Sequence, residues 1–232
     1  MQSIPDKSID MVLCDLPYGT TACKWDTIIP FEPLWKQYKR VIKDNGAIVL
    51  TASQPFTSAL VMSNIKMFKH SWIWNKKKAG NIFLSKSQPM KIHEDVIVFN
   101  GGTYNPIMVK RDKIKKSKNY GIGEAMGGGT LAQIEYTYTH KYPESILEIS
   151  NANQNGKVHP TQKPVALFEY LIKTYTNENE IVLDNCSGSG TTAIACINTN
   201  RNYICIEKDK TYFDLSVERV NNHKQTLFNK AI

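Results

Sequence analysis

The sequence predicts one α/β domain, residues 1–232, whose mainly parallel sheet is flanked by helices. Short apolar runs ending in polar or turn residues recur along the chain, as strands buried on both faces require. Stretches with helical apolar spacing separate several of those runs, so strand and helix alternate. At 232 residues, 41% of them apolar, the chain is long enough for one large domain carrying a sizeable insertion.

The first run is Ile9 to Cys14, closed by Asp15 and Pro17. A helical pattern over Phe31 to Ile42 reaches the turn Asp44-Asn45-Gly46 and leads into a strand over Ala47 to Thr51. Pro55 to Met62 reads as a second helix. Ser71 to Asn75 and Val96 to Phe99 read as two further strands, the first bearing Trp72 and Trp74, of which one is expected in the core. The pattern is then lost from about Asn100 to Lys157, a stretch rich in Gly, Lys, Tyr, Asn and Thr. A loop of that length is uncommon in a compact domain unless it is functional or disordered, so residues 100–157 are taken as an insertion that carries recognition. Periodicity returns with a helix over Pro164 to Thr174, a strand over Glu180 to Leu183, a helix over Thr191 to Asn198, a strand over Tyr203 to Ile206 and a helix over Tyr212 to Asn222.

The formal charge is +8, and it is concentrated. Between Lys66 and Lys118 stand 13 Lys or Arg against 3 acids, a local excess of +10. Such a block suits a polyanion, because each neutralised phosphate releases condensed counterion. A solvated lysine face is the competing reading. Lys76, Lys77, Lys78, Lys110, Arg111 and Lys113 are the expected phosphate contacts, with Tyr104, Tyr120, Tyr136 and Tyr138 interleaved among cations. No run of 18 apolar residues appears and the N-terminus lacks a signal-peptide pattern, so no membrane partner and a cytoplasmic location are expected. Five cysteines, odd in number and without a C-x-x-C pair, argue against a disulfide framework and against zinc, and no metal is expected.

Near the C-terminus a strand ending in Asp184 is followed by Asn185-Cys186-Ser187-Gly188-Ser189-Gly190 and then a helix. Glycines allow the sharp turn and let a ligand approach the backbone, while the helix N-terminus offers free N–H groups to an anion. Glu207, 17 residues after Gly190, stands where such sites place an acid on ribose hydroxyls. A nicotinamide dinucleotide site shares these features, but it needs further strands and only 25 residues follow Glu207. The cofactor unit therefore comes last in sequence and borrows its remaining strands from the N-terminal half.

Asp15-Leu16-Pro17-Tyr18 follows the first strand, at the carboxyl end where open α/β sheets bind ligands. A carboxylate and a backbone carbonyl can each accept one hydrogen of an –NH2 group, leaving the nitrogen lone pair aimed at an electrophilic methyl. Pro17 stiffens the turn, and the ring face of Tyr18 can stack a base. In isolation such a tetrapeptide is more often a plain turn.

Together with His159-Pro160-Thr161-Gln162-Lys163-Pro164 and Asp184-Asn185-Cys186-Ser187-Gly188-Ser189-Gly190-Thr191-Thr192, this turn closely resembles the DNA amino-methyltransferases in their β-class order. The resemblance spans nearly the whole chain. It implies a Rossmann-like methyltransferase fold, S-adenosyl-L-methionine (AdoMet) as cofactor, and a flipped-out base in double-stranded DNA as substrate. By that resemblance Asp15, Leu16, Pro17 and Tyr18 form the catalytic turn. Asp184, Cys186, Gly188, Ser189, Gly190 and Glu207 hold AdoMet, with Thr161 and Lys163 near its methionine carboxylate. Adenine is the expected base, since the family's cytosine-N4 enzymes more often carry Ser where this chain has Asp15. A homodimer and a companion restriction endonuclease are partners the resemblance allows.

The family's turn is usually D-P-P-Y, and Leu16 replaces its first proline while keeping the carbonyl. Members also usually start some twenty residues earlier, with a strand near the cofactor's adenine, so the chain reads as N-terminally shortened. The alternatives carried forward are a cytosine-N4 enzyme, an RNA methyltransferase and a catalytically impaired DNA-binding relative.

Overall fold

The computed structural model describes residues 1–21, 23, 26–119, 134–151 and 162–230. In chain order its strands are β1 (Ile9–Asp15), β2 (Ile42–Ala52), β3 (Phe68–Gly80), β4 (Lys91–Asn100), β5 (Val109–Asn119), β6 (Ile134–Lys141), β7 (Ile146–Glu148), β8 (Ile181–Asp184) and β9 (Asn202–Cys205). The helices are α1 (Phe31–Val41), α2 (Phe56–Ser63), α3 (Val165–Tyr175), α4 (Thr191–Asn198) and α5 (Lys210–Lys230), with a 3₁₀ turn at Ile82–Leu84.

Seven strands form one sheet in the order β7-β3-β4-β2-β1-β8-β9. β1 is parallel to β2 on one side and to β8 on the other, and β8 to β9. β4 departs from the parallel expectation: it runs antiparallel to both β2 and β3. Its connection from β3, residues 81–90, is too short for a crossover, so the two strands pair as a hairpin.

The side-chain alternation of β1 explains why its sequence is apolar on both faces from Met11 to Cys14. Val12 and Cys14 join Leu34, Trp35 and Tyr38 of α1 and Leu60 of α2 on one face. Met11 and Leu13 join Leu167, Phe168 and Leu171 of α3 and Ala195 of α4 on the other. Each fully buried aliphatic chain contributes about 1.5–3 kcal/mol by leaving water. Trp72 and Trp74, two residues apart on β3, share a face, and both are buried rather than one. Their indole N–H groups donate to the Tyr175 hydroxyl (2.6 Å) and the Ile149 carbonyl (2.8 Å).

Gly46 marks a tight approach of β2 to β1. A Cβ there would stand 2.7 Å from the Asp10 carbonyl oxygen, so only glycine permits this pairing. By contacts the chain divides into Met1–Asn105 with Ser145–Ile232, and a second unit, Pro106–Glu144. The second unit holds the antiparallel hairpin β5-β6, in a stretch where the sequence showed no strand period. Of the expected insertion at 100–157, residues 120–133 and 152–157 lie outside the described residues.

Candidate active site

Chain order around the sheet reverses at β1: β8 and β9 lie on one side of it, β2, β4 and β3 on the other. Such a switch point opens a crevice at the carboxyl ends of the strands, where ligands of open α/β sheets bind. Asp15 ends β1, Thr51 lies opposite it on β2, and Asp184 ends β8. The catalytic turn and the glycine-rich turn expected from sequence therefore flank one crevice.

The Asp15 carboxylate is held from three directions. Oδ1 accepts from the Tyr18 hydroxyl (2.8 Å) and, in a very short bond, from the Thr51 hydroxyl. Oδ2 accepts from Lys163 Nζ at 2.8 Å. Lys163 is 7% exposed, and its ammonium also lies 3.3 Å from Glu94 Oε2, while Lys76 Nζ donates to Glu94 Oε1 at 3.1 Å. Charges thus alternate along Asp15, Lys163, Glu94 and Lys76. Burial alone would drive the Lys163 ammonium to release its proton, but Asp15 and Glu94 more than offset this and hold it above the ordinary lysine range. Glu94, Thr51 and Lys76 in this role had no signal in the sequence, because the pairing runs across strands far apart in the chain.

The Tyr18 side chain is more constrained than a free stacking ring. Its hydroxyl bonds both Asp15 and Thr51, its ring stacks on Phe56 at 5.3 Å, and Lys163 Nζ sits 5.4 Å from its centroid. Burial, then the neighbouring carboxylates of Asp15 and Glu94, push its phenol well above the ordinary tyrosine value. Leu16 buries its side chain, and Pro17 is half-buried beside it. Asp26 pins the following loop by accepting from the backbone N–H of Gly19, Thr20 and Thr21 at 2.7–2.9 Å.

Across the crevice, Asp184 braces the glycine-rich turn from within. Its carboxylate accepts from the Cys186 N–H (3.0 Å) and the Thr192 hydroxyl, and burial pushes its pKa up to about 6 although both bonds favour the ionised form. Glu207, two residues past β9, accepts from the Gly188 N–H (2.8 Å) and the Asp209 N–H (2.8 Å). Gly188 and Gly190 both have positive φ, and a Cβ on Gly190 would stand 3.1 Å from Ser216 of α5. Ser189 is buried, donates to Gln162 Oε1 (3.0 Å), and has its carbonyl bonded by Arg219 of α5 (2.9 Å). Arg219 has no local signal in the sequence, because it reaches the turn from α5. Thr161 lies outside the described residues, as do His159 and Pro160.

The expected phosphate contacts divide. Lys76 is turned inward to Glu94, and Lys77 pairs with Glu148 at 2.7 Å. Lys78, Lys110 and Lys113 are exposed, and Arg111 donates from Nε to the His140 carbonyl (3.1 Å).

Residues 9–218 match the model of a family described as DNA methylase. The chain is 28% identical to the Type II methyltransferase M.HpaI of Haemophilus parainfluenzae, across 96% of this chain and 71% of that protein. It is also 28% identical to the DNA adenine methyltransferase YhdJ of Escherichia coli (strain K12), across 95% of this chain and 79% of that one. Among solved structures, the M1.HpyAVI-SAM complex superposes with a TM-score of 0.62 at 24% identity, covering 94% of this chain and 90% of that one, so the Rossmann-like methyltransferase fold is shared. With a family match running from the first residue of β1 into α5, and so across both turns of the crevice, the chain belongs to the DNA methylase family and is a DNA methyltransferase.

Proposed function

We propose that the chain transfers the methyl group of AdoMet to the exocyclic amino nitrogen of adenine in double-stranded DNA. The observation that carries this is the Asp15 carboxylate, fixed by Thr51, Tyr18 and Lys163 in the crevice whose other wall is the glycine-rich turn.

The residues fit the cofactor. Among the described residues, and apart from its two chain neighbours, no atom lies within 4 Å of where a Cβ on Gly188 would stand, which leaves open space along the turn, and α4 begins there with N–H groups that lack an intrahelical partner. Gly188, Ser189 and Gly190 would line the cofactor and Glu207 would face its ribose, whereas Lys163, expected from the sequence at the cofactor's carboxylate, is instead engaged by Asp15 and Glu94. Asp184 and Cys186 would act from behind by fixing the turn. When bound, AdoMet supplies a methyl group made electrophilic by its sulfonium.

The chain's own residues do the rest. Asp15 accepts one hydrogen of the target amine and the Leu16 carbonyl the other, which holds the nitrogen lone pair on the line of attack. As positive charge develops on that nitrogen, the Asp15 carboxylate stabilises it, and it can take up the proton the nitrogen must shed. A paired base cannot present its amine, so the target rotates out of the duplex. Adenine is favoured over cytosine because the turn opens with Asp15.

The hairpin unit Pro106–Glu144 would read the target, with Lys78, Lys110, Arg111 and Lys113 on phosphates. A homodimer, a companion endonuclease and work in the cytoplasm belong to the same reading; among the described residues no helix is long and apolar enough to cross a membrane. Incubating the protein with AdoMet and genomic DNA, then resolving the digested nucleosides by mass spectrometry, tests it. N6-methyladenine is expected. Methylated cytosine, or unmodified DNA, refutes the assignment.

A further inference from the structure

The hairpin β3-β4 does not stop where the rest of the sheet stops. β2 ends at Ala52, paired with Asp95, but β3 and β4 stay paired through Asn75 with His93 to Gly80 with Lys91. The four residues from Asp95 to Lys91 carry the hairpin about 13 Å beyond that edge at roughly 3.3 Å per residue. This is the edge that bears Asp15 and Thr51, and Glu94 joins the hairpin to Asp15 through Lys163.

At the tip, Ile82-Phe83-Leu84 form the 3₁₀ turn, and the turn is knotted to itself: Leu84 N–H donates to Asn81, Ser85 N–H to Ile82, and Ser87 and Gln88 N–H to Leu84. Phe83 is 95% exposed and Ile82 67%. A phenylalanine so exposed on a turn held by its own hydrogen bonds has no role in packing the protein, and it gains free energy only by entering an apolar environment.

The surroundings say what that environment is. Lys78, Lys86 and Lys91 flank the tip, Lys76 and Lys77 being paired with Glu94 and Glu148, and no acid occurs in the sequence from Lys76 to Ile92. Lys78, Lys86 and Lys91 have no carboxylate within 4 Å among the described residues. Two copies of the chain meeting tip to tip would set these cations against each other. A duplex offers the matching chemistry, phosphates for the lysines and stacked bases for the ring. Proteins that deform DNA insert apolar side chains between base steps in this way.

We propose that Phe83 is a wedge that enters the base stack beside the target and holds open the space the flipped adenine leaves. This rests on the proposed function. Phe83 touches neither AdoMet nor the reacting nitrogen, so it is a positioning residue.

The test uses the full chain, AdoMet, and two synthetic duplexes carrying the site found methylated by the wild type: one fully paired, the other abasic opposite the target. The second target has no partner to leave, so its flipping needs little help. On the paired duplex Phe83→Ala is expected to lose about tenfold or more in kcat/KM, as the loss of one base-sized stacking contact implies. On the abasic duplex it is expected to stay within about threefold of wild type, with unchanged AdoMet affinity, and Phe83→Leu is expected to restore most activity on the paired duplex. Equal losses on both duplexes, or no loss on either, overturn the wedge. So does a wild-type dimer in sedimentation that Phe83→Ala turns into monomer, since the tip would then be a self-association surface. A wild type that methylates no DNA refutes the proposed function itself, before any variant is compared.

Discussion

Lys163→Met tests whether the charge chain at the active site behaves as a unit. The substitution keeps the buried stem and removes an ammonium 2.8 Å from Asp15 and 3.3 Å from Glu94. At an effective dielectric of about 20 the two attractions amount to roughly 6 and 5 kcal/mol, most of it offset by the cost of taking the ions out of water. Removing one member leaves two carboxylates facing each other with no cation between them. Deleting one partner of a buried pair costs about 3–5 kcal/mol. For a protein of this size that corresponds to a fall in Tm of about 10 °C, read by circular dichroism. Turnover is expected to drop more than tenfold, because Asp15 loses the donor that fixes Oδ2. A double-mutant cycle with Glu94→Gln isolates the coupling, which is expected to exceed about 1 kcal/mol. A Tm within 2 °C of wild type together with normal turnover would refute the reasoning.

Asp15→Ala is expected to cost about 10²-fold or more in methyl transfer while AdoMet affinity, measured by calorimetry, stays near wild type; near-normal turnover would reduce the turn to a structural one. Tyr18→Phe is expected to lower kcat about tenfold, because the hydroxyl holds Asp15 and Thr51; no change in steady-state kinetics would mean that the ring alone matters. Asp184 has a folded-state pKa of about 6, raised by burial above its unfolded value, so its contribution to stability is present in full below the unfolded value and is lost as pH rises through about 6. Urea unfolding at pH 4.5 and 7.5 is therefore expected to differ between wild type and Asp184→Asn by about 2 kcal/mol in favour of the wild type at low pH, and parallel profiles would contradict the shift. Replacing Lys78, Lys110 and Lys113 by Ala is expected to reduce the salt slope of DNA affinity by about 0.9 per residue, whereas Lys77→Ala, already paired to Glu148, leaves it unchanged; equal effects would deny that distinction.

The elements legible in the sequence are those whose side chains answer to one dominant constraint. β1 is buried on both faces and reads as an apolar run from Met11 to Cys14, and α4 begins where the glycines end. In β3 and β4 the apolar pattern covers only the buried stretches. Their extensions carry Lys76 to Lys78 and His93-Glu94, residues that satisfy the strand ladder while facing water or each other. β5 and β6 form a two-stranded sheet, so no buried face imposed an alternation on Val109–Asn119. At the site, Asp15, Tyr18 and the glycine-rich turn are contiguous segments and could be found locally. Lys163 was found by its motif but expected at the cofactor, and its contact with Asp15 and Glu94 exists only once β1, β4 and the start of α3 have been brought together.

The position of β8 has a consequence for how the protein is made. Val182 pairs with Met11 in the middle of the sheet, although about 170 residues separate them in the chain. At 5–20 residues per second a ribosome needs roughly 10–30 s to add that length. Throughout that interval the nascent β1, apolar from Met11 to Cys14, has an unpaired edge and lacks the α3 and α4 side chains that cover one of its faces. The crevice cannot exist until the edge is filled, so an interrupted chain lacks the whole site rather than the cofactor half alone. Ribosome-bound chains halted before Ile181 are expected to engage holdase chaperones, and release beyond α4 to end that engagement.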